Sequence, residues 1–318
     1  MTSRVSSNPL APFLKDDAVL ILDGGLATEL ERRGADLNDP LWSAKLLIEK
    51  PDLIRDVHLD YFRAGADVAT TASYQATFEG LANRGLDQDA AAALMRAAVT
   101  LAIDAREEFW SDPANRGGRL KPLVAASIGP YGAMLADGAE YRGDYRLSED
   151  ALMEFHRPRM RVLAGSGADL LACETIPCLD EARALARLLA EFPAIGAWIS
   201  FSCRDGRHDS RGELLAECAR ALERFDQVLS IGVNCTAPQH IESLVAELEH
   251  STGKPIAVYP NSGEQYDAST KHWHGCAVSR KFADDAGRWR RAGARLIGGC
   301  CRTTPHDIMA LKDALSVR

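Results

Sequence analysis

The sequence lacks the long apolar run that a membrane-spanning helix needs. No uncharged stretch approaches about 18 residues, and the N-terminus MTSRVSSNPLAPFLKDD has no apolar core of a secretory signal. A compact Lys/Arg cluster is missing too, and 37 Lys plus Arg against 45 Asp plus Glu leave a formal charge of −8. Because a row of phosphates is bound by such clusters, nucleic acid is excluded as a partner. The sequence predicts a cytoplasmic protein that binds small molecules and no membrane.

Cysteine is too scarce for a disulfide-stabilised fold, with eight residues in a chain of 318. In a reducing compartment most thiols are small buried hydrophobes, so only position can make one a ligand. Hydrophobic residues make up 46% and charged residues 26%, which excludes disordered, collagen-like and coiled-coil chains. No apolar stripe stands apart from the helix faces, so the sequence indicates neither a monomer nor an oligomer.

Short apolar runs alternate with helical patterns from end to end. The predicted strands are 19–23, 67–73, 123–129, 169–175, 197–202, 229–235, 256–262 and 295–301. The predicted helices are 51–64, 88–110, 148–165, 178–191, 213–224, 238–251, 279–292 and 305–315. Eight such units without a linker favour a single (β/α)8 TIM-type barrel domain over residues 1–318, with 1–17 as an N-terminal extension; an open doubly wound sheet is the alternative.

Two connections are longer than a barrel requires, 129–147 after the third strand and 261–278 after the seventh. Both follow strands and therefore lie on the C-terminal face, where barrel enzymes build their active sites. Their Tyr and Trp residues indicate a lid or a site for a second substrate, with local packing as the alternative. His272 and His274 in the second loop have no third ligand nearby, so they do not predict a metal site.

Three thiols lie at strand ends. Cys235 ends the sixth predicted strand, and Cys300 with Cys301 ends the eighth, so all three converge on one face of a closed barrel. Three Cys thiolates leave one position of a tetrahedral Zn²⁺ open, which is typical of a catalytic rather than a structural site. Ordinary buried thiols or a vicinal disulfide are the alternatives. Packing is predicted for the other cysteines: Cys173, Cys178, Cys203, Cys218 and Cys276.

Two carboxylates also end strands, Asp23 and Glu174. A carboxylate there is costly unless it is paired or used, which makes both candidates for binding an ammonium group. Asp23 could instead cap the following segment LATELERRG. The N–H groups around Gly25 and Leu26 would in either case offer an anion site for a carboxylate. Together these features would hold an α-amino acid at both ends.

Several segments resemble the homocysteine S-methyltransferase family, from about residue 18 to the C-terminus. They are LDGGLATELERRGADL (22–37), TTASYQATFEG (70–80), GPYGAMLADGAEYRGDY (129–145), ACETIP (172–177), GVNCTAP (232–238), VYPNSGEQYDA (258–268) and GGCCRTTP (298–305). The GVNC and GGCC segments together are specific for the family. The segments at 129–145 and 258–268 look like the branch that uses S-methylmethionine.

The resemblance implies a zinc-dependent (β/α)8 enzyme whose zinc ligands are Cys235, Cys300 and Cys301. It also implies that Asp23 and Glu174, with the backbone around Gly25 and Leu26, bind the amino acid part of homocysteine. The implied reaction moves a methyl group from S-methylmethionine, or from S-adenosylmethionine, to the zinc-bound thiolate of L-homocysteine and yields methionine. Betaine as donor, selenocysteine or selenohomocysteine as acceptor, and a non-catalytic zinc or redox thiol protein are the alternatives.

A sulfonium donor requires aromatic faces or carboxylates around its charge. The loop after the third strand offers four such side chains, which the sequence does not rank: Tyr131, Glu140, Tyr141 and Tyr145. Among the substrate-binding residues we include Tyr131. We also include Thr71 and Asn234, as contacts to substrate or as support for the metal ligands.

Overall fold

In a computed structural model, which describes residues 8–39, 41–263, 265–267, 272–274 and 282–316, eight parallel strands form one sheet. They are β1 Leu20–Ile21, β2 Val68–Thr70, β3 Leu123–Ile128, β4 Leu170–Ile176, β5 Ala197–Phe201, β6 Val228–Asn234, β7 Ile256–Tyr259 and β8 Ala294–Ile297. They pair in the order β1-β8-β7-β6-β5-β4-β3-β2. A single parallel bridge between Leu22 and Val68 joins the two ends. The predicted (β/α)8 barrel is confirmed, because an open sheet would leave both edges unpaired.

Helices follow every strand and pack around the sheet. In the described part of the chain they are α1 Leu26–Arg32, α2 Leu46–Glu49, α3 Pro51–Ala64, α4 Phe78–Ala82, α5 Gln88–Ser111, α6 Tyr131–Leu135, α7 Glu149–Ala164, α8 Leu179–Leu189, α9 Leu215–Leu222, α10 Ile241–Glu249, α11 Phe282–Ala292 and α12 Pro305–Ser316. Short 3-10 turns lie at Ala11–Asp17, Trp42–Lys45, Pro113–Arg116, Ala139–Tyr141 and Pro238–His240. Ser148 caps α7 through a 3.2 Å bond from the Ala151 N–H, as its sequence position predicts.

The apolar core has two parts. A large cluster lies between the sheet and its helices, and a smaller one fills the barrel interior. Leu10, which is fully buried, belongs to the interior cluster, and Phe13 and Leu14 pack against it. Arg295, at the start of β8, donates to the carbonyl of Leu14 at 3.2 Å. The segment before β1 therefore covers the N-terminal end of the barrel, although the sequence indicated only an extension.

The two long connections are described to different extents. The loop after β3 contains α6 and the turn Ala139–Tyr141. After β7, two short strands, Gln265–Asp267 and His272–His274, pair in an antiparallel hairpin. The side chains of His272 and His274, and Cys276 as a whole, lie outside the described residues. Among the helices that are described, none is both long and apolar enough to cross a membrane.

Candidate metal and substrate site

The three thiols predicted to converge lie together at the C-terminal end of the barrel. Cys235 Sγ is 2.9 Å from Cys300 Sγ and 3.6 Å from Cys301 Sγ, and the last two atoms are 4.0 Å apart. β8 ends at Ile297, four residues before Cys301, so the strict alternation of a strand no longer separates the neighbouring side chains. Both cysteines can therefore turn toward Cys235.

The backbone after β7 ties the two cysteine segments together. The Cys235 N–H donates to the carbonyl of Tyr259 at 3.2 Å, and the Cys300 N–H donates to that of Pro260 at 2.8 Å. Gly298 allows the close approach of the chain just after β1, because a Cβ at Gly298 would lie 2.5 Å from the Cβ of Leu22. Cys235 itself has a left-handed backbone with φ of 47°. The cluster is thus fixed by the backbone of three strand ends.

The chemistry of the donor set fits Zn²⁺. Sulfurs bound about 2.3 Å from one tetrahedral ion lie roughly 3.8 Å apart. Two of the three separations, 3.6 and 4.0 Å, are close to that value, and the third, 2.9 Å, is shorter. All exceed a disulfide bond of about 2.05 Å, so Cys300 and Cys301 do not form the vicinal disulfide left open by the sequence. Hydrogen bonds from Cys300 and Cys301 lower the pKa of Cys235 well below its usual range, which favours a thiolate.

Asp23 lies two residues after the end of β1, with 5% of its surface exposed. Its carboxylate accepts hydrogen bonds from the Thr70 N–H at 2.7 Å and from the Thr70 hydroxyl at 3.1 Å. Helix α1 begins after Gly25, which occupies the N-cap position, so Asp23 does not cap it. Burial raises the pKa of Asp23 to about 7, because two hydrogen bonds do not offset the lost hydration.

Glu174, in β4, is 8% exposed and accepts a short hydrogen bond from the hydroxyl of Ser127. Burial, with further contributions from the charges of Asp23 and Cys235, raises the pKa of Glu174 to about 8. The charges of Asp23 and Cys235 therefore oppose the ionisation of Glu174. A cation placed between the two carboxylates would relieve both the burial cost and their repulsion.

At the predicted anion site near α1, one of the backbone donors already has partners within the protein. The Gly25 N–H already donates to the hydroxyl of Thr303 at 3.1 Å and to its carbonyl at 3.2 Å. A Cβ on Gly25 would lie 2.7 Å from the Cys300 carbonyl, so this turn packs directly against the thiol segment. Leu26, the first residue of α1, is partly exposed. Substrate binding by the backbone of Gly25 and Leu26 stays a prediction.

Thr71 and Asn234 support the site residues from behind. The Thr71 hydroxyl accepts from the Ser127 N–H at 3.0 Å, and Ser127 in turn binds Glu174. Asn234, fully buried beside Cys235, accepts from the Thr175 N–H at 2.7 Å and donates to the Thr175 hydroxyl at 2.8 Å. Thr175 has a left-handed φ of 59° directly after Glu174. Asn234 therefore connects the strand end of a thiol with that of a carboxylate.

Of the tyrosines after β3, one contacts the thiols. The Tyr141 hydroxyl lies 3.6 Å from Cys235 Sγ. Tyr131 instead packs its ring against Tyr145 and Phe155, at centroid distances of 5.2 and 4.9 Å, and its N–H donates to Glu181 at 2.6 Å. Of the four loop residues that the sequence did not rank, Tyr141 therefore contacts the thiol cluster, whereas Tyr131 anchors the loop.

Sequence reasoning missed Thr70 and Ser127, the partners of the two carboxylates. Their positions carried a usable signal, because a hydroxyl residue close to the C-terminal end of a barrel strand faces the same space as its neighbours. Tyr259, at the end of β7, is a further group of this kind. Its hydroxyl accepts a hydrogen bond from the indole N–H of Trp198 at 2.9 Å.

Comparison with known proteins agrees with this geometry. The family model described as homocysteine S-methyltransferase matches residues 20–315. The chain belongs to the homocysteine S-methyltransferase family. Homocysteine S-methyltransferase YbgG of Bacillus subtilis (strain 168) is 58% identical over 304 residues, which cover 96% of each protein. Selenocysteine Se-methyltransferase of Brassica oleracea var. italica is 48% identical over 94% of this chain and 89% of that protein.

A crystal structure of the homocysteine methyltransferase MmuM from Escherichia coli in its metallated form superposes with a TM-score of 0.87. Its sequence is 50% identical, and the match covers 96% of this chain and 99% of that one. In this member of the family, the three thiols form a soft site that is able to hold a metal.

In the described part of the chain a second group of possible metal ligands also comes together: Asp209, Glu213 and Cys218. Asp209, however, already accepts hydrogen bonds from the backbone N–H groups of Gly212 and Glu213.

Proposed function

We propose that the protein transfers a methyl group from the sulfonium of S-methylmethionine to the sulfur of L-homocysteine, producing methionine. One observation carries the proposal: three thiols from two strand ends lie within 4.0 Å of one another beside the buried carboxylates Asp23 and Glu174. A thiol cluster alone would suit metal storage, and carboxylates alone would suit many amines. Their combination suits a substrate that has both a thiol and an ammonium group.

Cys235, Cys300 and Cys301 would hold Zn²⁺ and leave its fourth position open. When bound, Zn²⁺ would lower the pKa of the substrate thiol, ordinarily about 8.5 for this type of group, and hold its sulfur ready as a nucleophile at neutral pH. The existence of a metallated form of MmuM, at 50% identity, supports a bound metal in this chain. Tyr141, whose hydroxyl is 3.6 Å from Cys235, would steady one ligand by hydrogen bonding to its sulfur.

Asp23 and Glu174 would bind the ammonium group of homocysteine. In the substrate-free site, burial raises the pKa of Asp23 to about 7 and that of Glu174 to about 8. An ammonium group between them would stabilise both charged forms. Thr70 donates to both oxygens of Asp23 and Ser127 donates to one oxygen of Glu174, and the remaining lone pairs would accept from the ammonium group. The amino acid is then held at one end while its sulfur reaches the thiol cluster.

The homocysteine sulfur then attacks the methyl carbon of the donor in line. A new carbon–sulfur bond forms with the electron pair of the attacking sulfur. The old bond breaks and returns its pair to the donor sulfur, which leaves as a neutral thioether. With S-methylmethionine as donor, both products are methionine. The barrel must hold the two sulfurs on opposite sides of the methyl carbon, with a reacting distance of about 3 to 3.5 Å, and no protein base is needed at this step.

A selenium acceptor is a second candidate, supported by the 48% identity to a selenocysteine Se-methyltransferase. Selenocysteine or selenohomocysteine presents the same ammonium group and a softer nucleophile. Such an acceptor would use the same carboxylates and the same metal ligands.

We further propose that residues 1–318 form one domain and that the protein works in a reducing compartment, the cytoplasm. The seven described cysteines are all free, which supports this assignment. Substrates of low molecular weight are the partners that this site favours.

Measuring methionine formation from homocysteine with each donor tests the proposal. We expect turnover with S-methylmethionine, less with S-adenosylmethionine and none with betaine. Turnover with betaine alone would contradict the donor assignment. Zinc bound at unit stoichiometry without turnover on any donor would instead favour the non-catalytic thiol protein.

A further inference from the structure

Glu140 is held firmly in the loop after β3. It lies in the turn Ala139–Tyr141, and its carbonyl accepts a hydrogen bond from the Ser202 hydroxyl at 3.0 Å. On the other side Gly132 packs so closely that a Cβ there would lie 2.5 Å from the Glu140 nitrogen. The backbone of Glu140 is therefore fixed between β5 and α6, and its side chain starts from a defined position.

The carboxylate of Glu140 has an unused oxygen. Oε2 is buried and has no hydrogen-bond partner among the residues that the structure describes. Arg142, the nearby cation of the same loop, is directed to Asp137 at 3.3 Å and Asp144 at 3.6 Å. Burying a carboxylate oxygen without a hydrogen-bond partner costs free energy. Such an oxygen is expected where a bound ligand supplies the missing partner. Burial also raises the pKa of Glu140 to about 7.

Glu140 borders the thiol cluster. Its neighbour Tyr141 reaches Cys235 Sγ at 3.6 Å. The negative charge of Cys235 also raises the pKa of Glu140, in addition to burial, and the charge of Glu140 acts on Tyr74 and Tyr141. A buried, unpartnered carboxylate oxygen and a tyrosine in contact with the thiol cluster thus belong to adjacent residues of this loop. This environment suits a small organic cation.

We propose that Glu140 is the counter-charge that binds the cationic sulfonium donor. This inference rests on the proposed function. Asp23 and Glu174 serve the ammonium group of the acceptor, so Glu140 gives the donor a separate anion. The positive charge of the sulfonium is lost as its methyl group moves to the thiolate. The Glu140 carboxylate therefore stabilises the bound donor more than the transition state, and it should set donor affinity rather than the rate of the methyl transfer step.

Glu140→Gln in the zinc-loaded enzyme at pH 8 tests this assignment, since the amide keeps the shape and removes the charge. We expect KM for S-methylmethionine to rise about tenfold, with kcat unchanged or higher and KM for homocysteine unchanged. Calorimetric titration should show the same loss of affinity for S-methylmethionine, and no loss for methionine, its uncharged thioether counterpart. Asp144→Asn, in the same loop and 71% exposed, is the matched control.

Equal losses for S-methylmethionine and methionine would overturn the assignment, because the role of Glu140 would then be structural. An unchanged donor KM in a folded Glu140→Gln protein would overturn it as well. Glu140→Asp, which keeps the charge, should recover part of the affinity. If the wild type shows no turnover, the proposed function fails, whereas the paired titrations of sulfonium and thioether still decide whether Glu140 binds the cation.

Discussion

The two ends of the barrel interior are built from different chemistry. At the N-terminal end, Leu10, Leu20 and Leu123 belong to a buried apolar cluster. At the C-terminal end, polar side chains are hydrogen-bonded to one another, as Thr70 is to Asp23 and Asn234 is to Thr175. Apolar groups need only to be packed, whereas each buried polar group needs a partner. Apolar burial therefore stabilises the N-terminal, closed end, whereas the buried carboxylates Asp23 and Glu174 lie at the C-terminal end, where we propose that substrate binds.

Cys235→Ser should have the largest effect on activity, because it removes the thiol that lies closest to both of the others. We expect a loss in kcat/KM of at least about a thousandfold, beyond the roughly 10- to 100-fold typical of groups behind metal ligands. Bound zinc, measured by elemental analysis, should fall in parallel. Cys203→Ser, a partly exposed cysteine outside the cluster, is the control. Full zinc content with full activity in Cys235→Ser would remove the cluster from the mechanism.

Asp23→Asn should separate function from stability at the polar end. The pKa of Asp23 is raised from 3.8 to about 7, so the fold favours the protonated form. The stability of the fold is therefore highest below about pH 4, where Asp23 is protonated in both states, and it falls as the pH rises through about 7, where the buried carboxyl must ionise. The amide has no such loss. At pH 8 the substrate-free variant should unfold with a free energy higher by up to about 4 kcal/mol.

The same substitution should raise KM for homocysteine by about a hundredfold, because the ammonium group loses a charged partner. Chemical denaturation at pH 5 and pH 8 checks the first effect, and steady-state kinetics check the second. A stability gain that does not shrink as the pH is lowered from 8 to 5 would contradict the assigned pKa. Unchanged homocysteine KM would contradict the assigned role.

Leu10→Ala tests the closed end. The side chain is fully buried, so its truncation should lower the free energy of unfolding by about 3 kcal/mol through lost burial and a cavity. Kinetic constants of the folded enzyme should stay within about twofold, since independent sites behave additively. Leu120→Ala, at a 45% exposed leucine, provides the comparison and should cost little. A large change in KM would show that the two ends are not independent.

Tyr141→Phe should produce the smallest effect, because it removes one hydrogen bond to a ligand sulfur. We expect zinc affinity, measured by chelator competition, to fall by about threefold to tenfold. Tyr131→Phe, in the same loop, should leave zinc affinity unchanged if its ring only anchors the loop. A larger effect from Tyr131→Phe would favour the residue chosen from the sequence.

The barrel and its thiol cluster could be predicted because both depend on strand ends. Parallel strands deliver their C-terminal residues to one face, so Cys235 and Cys300 converge once the strands are located. The strand limits were less accurate. The second strand was predicted to reach residue 73 but ends at Thr70, whose N–H donates to the Asp23 carboxylate rather than to a backbone carbonyl.

Contacts between distant segments could not be predicted in this way. The Gly25 N–H binds Thr303, a residue 278 positions away, and this contact occupies one donor of the expected anion site. The path of the loop after β3 depends on α7 and α8. From these helices, Arg159 donates to the Gly129 carbonyl at 2.6 Å and Glu181 accepts from the Tyr131 N–H. Without the path of this loop, the sequence could not show that Tyr141 rather than Tyr131 contacts the thiols.

One isolated bridge, between Leu22 and Val68, closes the barrel. On one side of it the Asp67 N–H donates to the Ile21 carbonyl, and on the other the side chain of Asp23 accepts from the Thr70 N–H. Part of the barrel wall is thus made of the carboxylate that we propose binds the acceptor. Amide exchange at Thr70 should slow when homocysteine occupies the site and quicken in Asp23→Ala. One amide proton would then report on both the seam of the fold and the occupancy of the acceptor site.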